Sequence, residues 1–348
     1  MKSKRAILLT LAILAVSFLL AVIVHSFKNA GYNKKRNLTV VFYNVENLFD
    51  TENTPGGNDA EFTPESEKKW TPERYQKKLE DISRVLASVN QKELPEIIGL
   101  CEIENRGVLE DLIKTEHLEG GEYEIAHFES PDFRGIDVAL LYRSEEFKVT
   151  WSAPVKISFV DEPNFNTRDI LYVKGKTINR EEFHIFVNHW PSRIGGVEQT
   201  EPKRIAIAQL LKSKIDSVQN VNPEANIVVM GDMNDEPSNK SLNEILLAKS
   251  PETENAALIN LMHPLHQIKQ GSYNYRGNWN MLDNIIVSTG LLDNKGFQSV
   301  EKQGFVFREQ WMEYQNSKGE ISPNRTYGGP NYYGGVSDHF PVFFQMKR

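Results

Sequence analysis

Cysteine is almost absent from this chain of 348 residues, since Cys101 is the only one. A single thiol excludes an intrachain disulfide framework and a metal site built from clustered thiolates. Cys101 ends an apolar run, residues 97–101, and is expected to pack as a small buried hydrophobic residue. No cysteine lies near residue 20, which excludes lipid attachment through a thiol there.

Acidic residues are missing from residues 1–36, which carry seven of the 40 Lys and Arg side chains. The rest of the chain therefore holds 33 basic against 47 acidic side chains, a formal net charge of −14. A domain with this charge repels polyanions at long range. No basic run follows Arg36, whereas nucleic-acid-binding proteins commonly present a basic face. A phosphate-containing substrate would need local basic groups or a metal ion to attract it.

Long apolar runs are also rare, and residues 6–24 form the one stretch that could span a bilayer as a helix. The run is longer than a typical signal-peptide core, and no small-x-small cleavage site is obvious after it, which favours an uncleaved N-terminal anchor. A cleaved signal peptide and a secreted protein are the alternative. Basic residues on both flanks weaken the positive-inside argument. We predict a signal anchor and basic linker at residues 1–36 and an extracytoplasmic domain at residues 37–348.

Internal repeats, low-complexity tracts and interdomain linkers are absent from that second part. Its helix-like and strand-like segments interleave, which favours one large α/β domain. Strands are predicted at residues 38–43, 95–101, 136–142, 147–154, 167–173, 182–188, 227–230, 272–276, 281–287 and 335–344. Helices are predicted from residue 72, with Thr71 as N-cap, and around residues 108–114, 202–217 and 242–247, and residues 51–70 are predicted to be a surface loop.

The most informative segment is residues 226–237, where a buried strand-like run ends at Gly231. Asp232 and Asn234 follow two positions apart, so on an extended backbone they point to the same side. Strand ends are where α/β sheets usually place their chemistry. Asp, Asn, Gly and Pro also favour simple turns, so this segment alone leaves both interpretations open.

The same pattern recurs at other predicted strand ends, which carry Asn44 with Glu46, Glu102, His189, and Asp338 with His339. Asp283 lies within the predicted strand 281–287. If these positions converge at one sheet edge, they supply carboxylates, amides and imidazoles but no thiolate. Such a set suits Mg²⁺, Mn²⁺ or Ca²⁺ better than zinc. Imidazoles beside a metal ion suit stabilisation of a phosphoryl-transfer transition state.

In their order and their residue patterns, these segments resemble the motifs of the endonuclease/exonuclease/phosphatase superfamily, across residues 38–345. The chain is identified as a bacterial member that is membrane-anchored or exported. The resemblance implies a DNase I-like fold, which is a four-layer α-β-β-α sandwich of two mixed β-sheets with the helices outside.

The resemblance also implies roles for particular residues. Glu102 would bind a divalent metal, with Asn44 and Asp338 close to it. The metal would be Mg²⁺, with Mn²⁺ or Ca²⁺ as alternatives. Asp232 would orient or deprotonate the attacking water, and Asn234 beside it would contact phosphate.

His339 would contact the scissile phosphate, with its ring held by Asp283. His189 matches the second histidine of the DNase I-like and sphingomyelinase-like branches, which abasic-site endonucleases lack at this position. Asp137 is a candidate to hold His189. Arg193 and Trp279 are candidate substrate-binding residues, with a surface arginine and core packing as the alternatives.

These roles predict a metal-dependent phosphoric ester hydrolase that cleaves a phosphodiester by direct water attack, with a nuclease as the first expectation. The alternative is a sphingomyelinase, phospholipase C-like enzyme or inositol-phosphate phosphatase, which the anchor and the acidic domain favour. A non-catalytic binding module is disfavoured, because the set of acids and histidines is intact. The expected partners are nucleic acid or another phosphoester and a membrane through residues 6–24, and the protein is expected to be a monomer.

Overall fold

The computed structural model describes residues 37–54 and 58–348. The predicted anchor and basic linker, residues 1–36, lie outside the described residues, as do residues 55–57. Within the described ranges, no helix is both long and apolar enough to cross a membrane.

β-Branched and aromatic residues dominate the longer apolar segments, which accordingly form strands. In chain order, the described strands are β1 (Asn37–Leu48), β2 (Ile97–Ile103), β3 (Tyr123–His127), β4 (Asp137–Arg143), β5 (Phe147–Val155), β6 (Ile170–Thr177), β7 (Glu182–His189), β8 (Asn226–Asp232), β9 (Ala248–Lys249), β10 (Leu258–Asn260), β11 (Tyr273–Tyr275), β12 (Asn278–Asn280), β13 (Asp283–Ser288), β14 (Gln298–Ser299), β15 (Phe305–Val306), β16 (Glu313–Gln315), β17 (Ile321–Pro323), β18 (Tyr327–Gly328), β19 (Asn331–Tyr332) and β20 (Val342–Lys347). The α-helices between them are α1 (Pro72–Ser88), α2 (Arg106–Ile113), α3 (Val197–Val221) and α4 (His263–Gln267). Short 3₁₀ turns lie at Glu119–Gly121, Thr289–Leu291 and Gln310–Met312, and Ser241–Ile245 is a π-helical turn.

Two mixed sheets contain the longer strands. The first has the order β14-β20-β1-β2-β4-β3, and β15 also pairs with β20. The second has the order β5-β6-β7-β8-β13-β10-β9. In the centre of each sheet one pair is parallel, β1 with β2 and β7 with β8, while β20, β4, β6 and β13 run antiparallel to them.

The apolar side chains divide into layers. The central cluster lies between the two sheets and takes residues from both, including Phe42, Cys101, Met230 and Ile285. Helices α1 and α2 cover the outer face of the first sheet, and α3 covers the outer face of the second. The predicted four-layer arrangement of two mixed sheets is therefore confirmed, as is the burial of Cys101.

Strand direction explains why residues from opposite ends of strands meet at one edge. The ends of β1, β2, β7 and β8 carry one group of candidates, Asn44, Glu102, His189 and Asp232. Strands β13 and β20 run the opposite way, so Asp283, which begins β13, and His339, which precedes β20, reach the same edge. The sequence pattern placed Asp283 inside a strand and His339 after the start of one. Asp283 does lie in a strand, which starts two residues later than predicted, whereas His339 lies before β20 and not within a strand that starts at residue 335.

The segment predicted as a surface loop, residues 51–70, contributes to the interior. Phe62 stacks on Phe49 with ring centroids 4.1 Å apart, and Trp70 packs edge-on against Phe62. Nε1 of Trp70 donates to the carbonyl of Phe49 at 3.0 Å. Polar composition predicted exposure here, but a few aromatic residues are enough to fold the segment back on β1.

Helix α3 begins before its proline. The sequence suggested a start near Pro202, because proline lacks the amide donor that the helix interior needs. The helix instead starts at Val197 and contains Pro202. Glu198, four residues earlier, is exposed, so its unpaired carbonyl can be hydrated. At α1 the predicted start is right, although the Thr71 side chain makes no capping hydrogen bond.

Candidate active site

Asp232 is the buried centre of the edge where the two sheets meet. Its Oδ1 accepts the amide of Asn234 at 2.9 Å, and its Oδ2 accepts Nδ2 of Asn44 at 3.0 Å across the sandwich. Gly231 lets β7 approach at this point, since a Cβ there would lie 2.4 Å from the carbonyl oxygen of Asn188. Burial, opposed by the positive charge of His339, raises the pKa of Asp232 to about 6. The carboxylate is therefore fixed in orientation and ionised at neutral pH.

Asp283 lies directly opposite Asp232 in the β8–β13 ladder and holds His339. Nδ1 of His339 donates to Oδ2 of Asp283 at 2.6 Å, and Ser272 donates its hydroxyl to the same oxygen. The ring of Tyr273 covers the imidazole at 4.7 Å. Burial alone would lower the pKa of His339, but the Asp283 carboxylate outweighs it and raises the pKa to about 10. His339 is therefore an imidazolium, with Nε2 3.8 Å from Oδ2 of Asp232.

His189 is the second histidine of the site and differs in charge. Its Nε2 lies 3.8 Å from Oδ2 of Asp232 and 3.9 Å from Oε1 of Glu102. Burial, reinforced by the charges of Arg168 and Arg134, lowers the pKa of His189 well below its ordinary value. The ring is thus neutral and faces the same space as His339.

The candidate partnership between Asp137 and His189 is wrong. Nδ1 of His189 is buried without a hydrogen-bond partner. Asp137 instead accepts Nε2 of His127 at 3.1 Å and the amide of Ser130 at 2.8 Å. It thereby anchors the loop before β4. The hypothesis rested on the family resemblance alone, and order along the chain does not specify side-chain direction.

Glu102 sits at a β-bulge, where the β2–β4 register shifts between Cys101 and Ile103. Its backbone has φ of 64°, a left-handed conformation that is unusual for glutamate and typical of strained functional positions. Oε2 accepts the amide of Asn47 at 3.0 Å. The guanidinium of Arg134 spans both carboxylate oxygens, at 3.3 and 3.1 Å. Burial would raise the pKa of Glu102, but Arg134 holds it below its ordinary value.

Asp338 also pairs with an arginine. Nη2 of Arg325 donates to Oδ2 of Asp338 at 2.7 Å. The adjacent Ser337 donates its hydroxyl to the carbonyl of Asn44 at 2.7 Å, which ties this segment to β1. Oδ1 of Asn44 accepts the amide of Glu46 at 3.0 Å. The three residues that the resemblance assigns to a metal therefore each have a protein partner.

The donor set fits a hard divalent cation. Among the described residues, two groups of three His, Asp or Glu side chains lie with ligand atoms within 4.8 Å of one another, Asp232–Asp283–His339 and His127–Glu129–Asp137. As an imidazolium His339 has no lone pair for a metal, so the first group offers the carboxylates of Asp232 and Asp283. Oδ1 of Asp283 is buried and has no hydrogen-bond partner. Glu102 remains ionised beside this first group. Carboxylate oxygens of this kind are the ligands that Mg²⁺, Mn²⁺ and Ca²⁺ prefer.

Two predicted substrate-binding residues and Asn234 have mainly internal contacts. Nε of Arg193 donates to the carbonyl of Asn234 at 2.7 Å, and its Nη2 donates to Asn239 at 2.9 Å. Arg193 thus braces the turn after β8 and does not project a free guanidinium. Nδ2 of Asn234 donates to the carbonyl of Trp190 at 2.9 Å, which leaves its Oδ1 and one amide hydrogen for a ligand. Trp279 is half-buried and stacks on Phe340, beside His339.

Sequence reasoning missed two arginines of the site, Arg134 and Arg325. Neither belongs to a strand-end motif, and each lies in a polar turn where an exposed arginine is the usual expectation. The Asp-Phe-Arg-Gly segment that ends at Gly135 was the one available signal, because Asp and Gly favour turns. In the structure Gly135 has φ of 68°, just before β4.

Two packed sheets carry buried acids, one neutral histidine and one cationic histidine at one edge, which is the arrangement of a DNase I-like hydrolase. The sequence model of the Endonuclease/Exonuclease/phosphatase family matches residues 39–348, and the chain belongs to that family. Members of the family are divalent-metal-dependent hydrolases of phosphoester bonds, so this protein is a phosphoester hydrolase. A search of curated proteins found no match.

Solved structures agree on the fold. A family protein from Bacteroides thetaiotaomicron is 17% identical, with a TM-score of 0.56 over 90% of this chain and 98% of that one. A mannosyl-6-phosphatase from the same species is 17% identical, with a TM-score of 0.55 over 89% and 99% of the two chains. The human nocturnin catalytic domain with bound sulfate is 16% identical, with a TM-score of 0.54 over 90% and 98%. At these identities the likeness describes the fold alone.

Proposed function

We propose that this protein hydrolyses a phosphodiester by direct attack of water, and that its substrate is a nucleic acid. One observation carries the water-attack mechanism. Asp232, an ionised carboxylate, and His339, an imidazolium held by Asp283, face each other at 3.8 Å. A proton acceptor and a cation are thereby fixed at one point, which is what attack on a phosphorus atom requires.

The residues then have distinct roles. Asp232 orients the attacking water and accepts its proton, because Asn44 and the Asn234 amide hold the carboxylate rigidly. His339 stabilises the negative charge that develops on the phosphoryl oxygens. His189 is neutral and can donate a hydrogen bond without adding charge. Such groups act most strongly in the transition state, in a site from which bulk water is excluded.

The proposed cofactor is Mg²⁺, with Mn²⁺ and Ca²⁺ as alternatives. Glu102 and Asp338, with the amide of Asn44, are the residues we propose to hold it, and Asp283 offers a further free oxygen. A bound divalent cation supplies neutralisation of phosphate charge and a lowered pKa for water. The irregularities of β1 and β2 lie beside Asn44 and at Glu102, two of these residues.

A second candidate function is hydrolysis of a lipid headgroup or another small phosphoester. Two local guanidiniums, Arg134 and Arg325, lie at the site, and the domain outside it is acidic. Such an arrangement attracts a compact phosphate more readily than a long polyanion. The apolar run at residues 6–24 favours the same candidate, since a membrane anchor would keep the domain near lipid.

The test is hydrolysis by a purified fragment that begins at Asn37, with Mg²⁺ or Mn²⁺, of single- and double-stranded DNA, RNA, sphingomyelin and inositol phosphates. We expect activity that a chelator removes and a divalent metal restores. Glu102→Gln should weaken metal activation, while Glu110→Gln, on the exposed side of α2, should not. Full hydrolysis in excess chelator would refute the proposed mechanism. Turnover of sphingomyelin or inositol phosphate without turnover of nucleic acid would select the second candidate.

A further inference from the structure

Arg134 is paired with Glu102, the carboxylate that we propose as the main metal ligand. Its two terminal nitrogens reach both oxygens of Glu102, and Nη2 also donates to Oδ1 of Asn47. With the amide of Asn47 on Oε2, the Glu102 carboxylate has a hydrogen-bond donor on each oxygen. A bidentate arginine–carboxylate pair of this kind is among the stronger polar contacts in proteins.

The loop that carries Arg134 is built to hold it there. Oδ1 of Asp132 accepts the amide of Arg134 at 2.9 Å, and Oδ2 accepts Nη1 of the buried Arg168 at 2.9 Å. Nη2 of Arg168 donates to the carbonyl of Trp190 at 2.8 Å, directly after His189. The buried Asp132–Arg168 ion pair therefore anchors the loop, and Asp132 in turn holds the backbone of Arg134.

Arg325 pairs with Asp338, the second proposed acidic ligand, in a similar way. It donates to Asp338 at 2.7 Å, in a segment that Ser337 ties to the end of β1. The side chains of Arg134 and Arg325 are 34% and 42% exposed, whereas that of Glu102 is 11% exposed. Both guanidiniums are thus more exposed than the Glu102 carboxylate and lie on the solvent side of the site.

We propose that Arg134 and Arg325 compete with the divalent cation for Glu102 and Asp338, and that the displaced guanidiniums bind the substrate phosphate. This inference rests on the proposed function of the same site. A guanidinium and a divalent cation on one carboxylate repel each other, because both carry positive charge within a few ångströms. A displaced guanidinium keeps a planar fork of donors that matches phosphate.

The consequence is that metal and phosphate bind cooperatively. Without metal the arginines neutralise the acids and are unavailable to an anion. With metal they are released towards the anion, so each ligand should increase the affinity for the other by the same factor. The arginines also hold the side chains of Glu102 and Asp338 in place before the metal arrives.

The experiment is titration calorimetry of Mn²⁺ binding to the full-length chain in mild detergent, with and without inorganic phosphate. Arg134→Gln and Arg325→Gln should each bind Mn²⁺ about fivefold or more tightly than the wild type. Phosphate should strengthen Mn²⁺ binding in the wild type and do so less in either variant. Arg276→Gln is the matched control, because Arg276 is an exposed arginine on the β11–β12 hairpin and should leave Mn²⁺ affinity unchanged.

Circular dichroism identifies any variant that fails to fold, and the other arginine variant then carries the test. Unchanged or weaker Mn²⁺ binding in the folded variants would overturn the inference while leaving a metal-dependent enzyme intact. An equal gain in Arg276→Gln would overturn it too, because net charge would then explain the effect. Absence of Mn²⁺ binding from the wild type and both variants would reject the proposed function together with the inference.

Discussion

Nδ1 of His339 lies 2.6 Å from Oδ2 of Asp283, although 56 positions separate the two residues in the chain. The contact joins the start of β13 in one sheet to the segment that precedes β20 in the other. Ser272 and Tyr273 enclose the pair from the β11 side. The histidine of the proposed chemical step therefore owes its charge to a carboxylate from the opposite sheet.

The first prediction concerns that carboxylate. Asp283→Asn keeps an oxygen that can accept the Nδ1 hydrogen but removes the negative charge that raises the pKa of His339 to about 10. We expect kcat to fall on the order of 10²-fold with a smaller change in KM, because a transition-state cation is lost. Asp293→Asn, at a surface carboxylate paired with Lys295, should keep wild-type kcat. Wild-type kcat in Asp283→Asn would show that the dyad is structural.

The second prediction concerns Asp232 and His339 as one catalytic unit. Asp232→Asn should preserve the fold, since Asn fits the same turn, and should lower kcat on the order of 10²–10⁴-fold. His339→Ala should lower kcat as well. The double variant should lose less than the product of the two single losses, because both groups serve one transition state. Circular dichroism, Tm and kcat of all three variants provide the check, and near-normal kcat in Asp232→Asn would make Asp232 a turn residue.

The third prediction concerns Lys78, which is fully buried on α1. Its ammonium donates to the carbonyls of Glu46 and Val336 and to the hydroxyl of Thr326, and so joins β1 to the Asp338 segment. Lys78→Met removes all three hydrogen bonds from the interior and should lower the free energy of unfolding by about 2–4 kcal/mol.

Urea unfolding gives the measurement for Lys78→Met. Lys77→Met is the control, since Lys77 makes an exposed pair with Asp81 and should change stability by less than about 0.5 kcal/mol. Equal stability of the two variants would show that water replaces the Lys78 contacts.

The fourth prediction concerns pH. Burial raises the pKa of Glu96 from 4.5 to about 7, although its Oε2 accepts the amide of Thr39 at 2.6 Å. The folded state thus holds this proton more tightly than the unfolded chain does. The resulting stability is fully present below pH 4.5 and is lost as the pH rises through about 7.

The loss should approach about 3 kcal/mol between pH 4.5 and pH 8. Glu96→Gln keeps an acceptor for Thr39 and removes the titration, so the free energy of unfolding should depend less on pH than in the wild type. Glu145→Gln, at an exposed position, should retain the wild-type dependence. Parallel pH profiles for Glu96→Gln and the wild type would contradict the assignment.

The fifth prediction concerns residues 1–36, which lie outside the described structure. Deletion of these residues should leave kcat and KM unchanged, because the proposed site lies wholly within residues 44–339. It should also move the protein from the membrane fraction to the soluble fraction, since residues 6–24 carry the predicted anchor. Full-length protein found soluble, with an N-terminus near residue 30, would establish a cleaved signal peptide instead.

Much of the site was predictable because its signals are local. An apolar run that ends in Gly231, Asp232 and Asn234 predicts a buried strand and a polar edge without any knowledge of the neighbours. The same holds for Glu102 near the end of β2 and His189 at the end of β7. The fold class followed from the alternation of such runs with amphipathic helices.

The contacts that complete the site were not predictable in this way. Asp137 holds His127 rather than His189, and Arg134 holds Glu102 from a loop 32 positions away. Lys78 lies beside the apolar face of α1, but its helix position does not reveal the three oxygens to which its ammonium donates. Each of these contacts forms where two segments that are distant in the sequence pack together. Side-chain direction at a bulge or turn depends on backbone angles that composition does not specify.

The sequence by itself therefore determined which residues of this protein could do chemistry, because residue type and strand period are properties of short segments. Only the tertiary structure decided how those residues are paired and charged. Asp283 begins β13 and His339 precedes β20, and both reach Asp232 because β13 runs antiparallel to β8 and β20 runs antiparallel to β1. The physical reason is that hydrogen bonds and burial act over a few ångströms in space, whatever the distance along the chain.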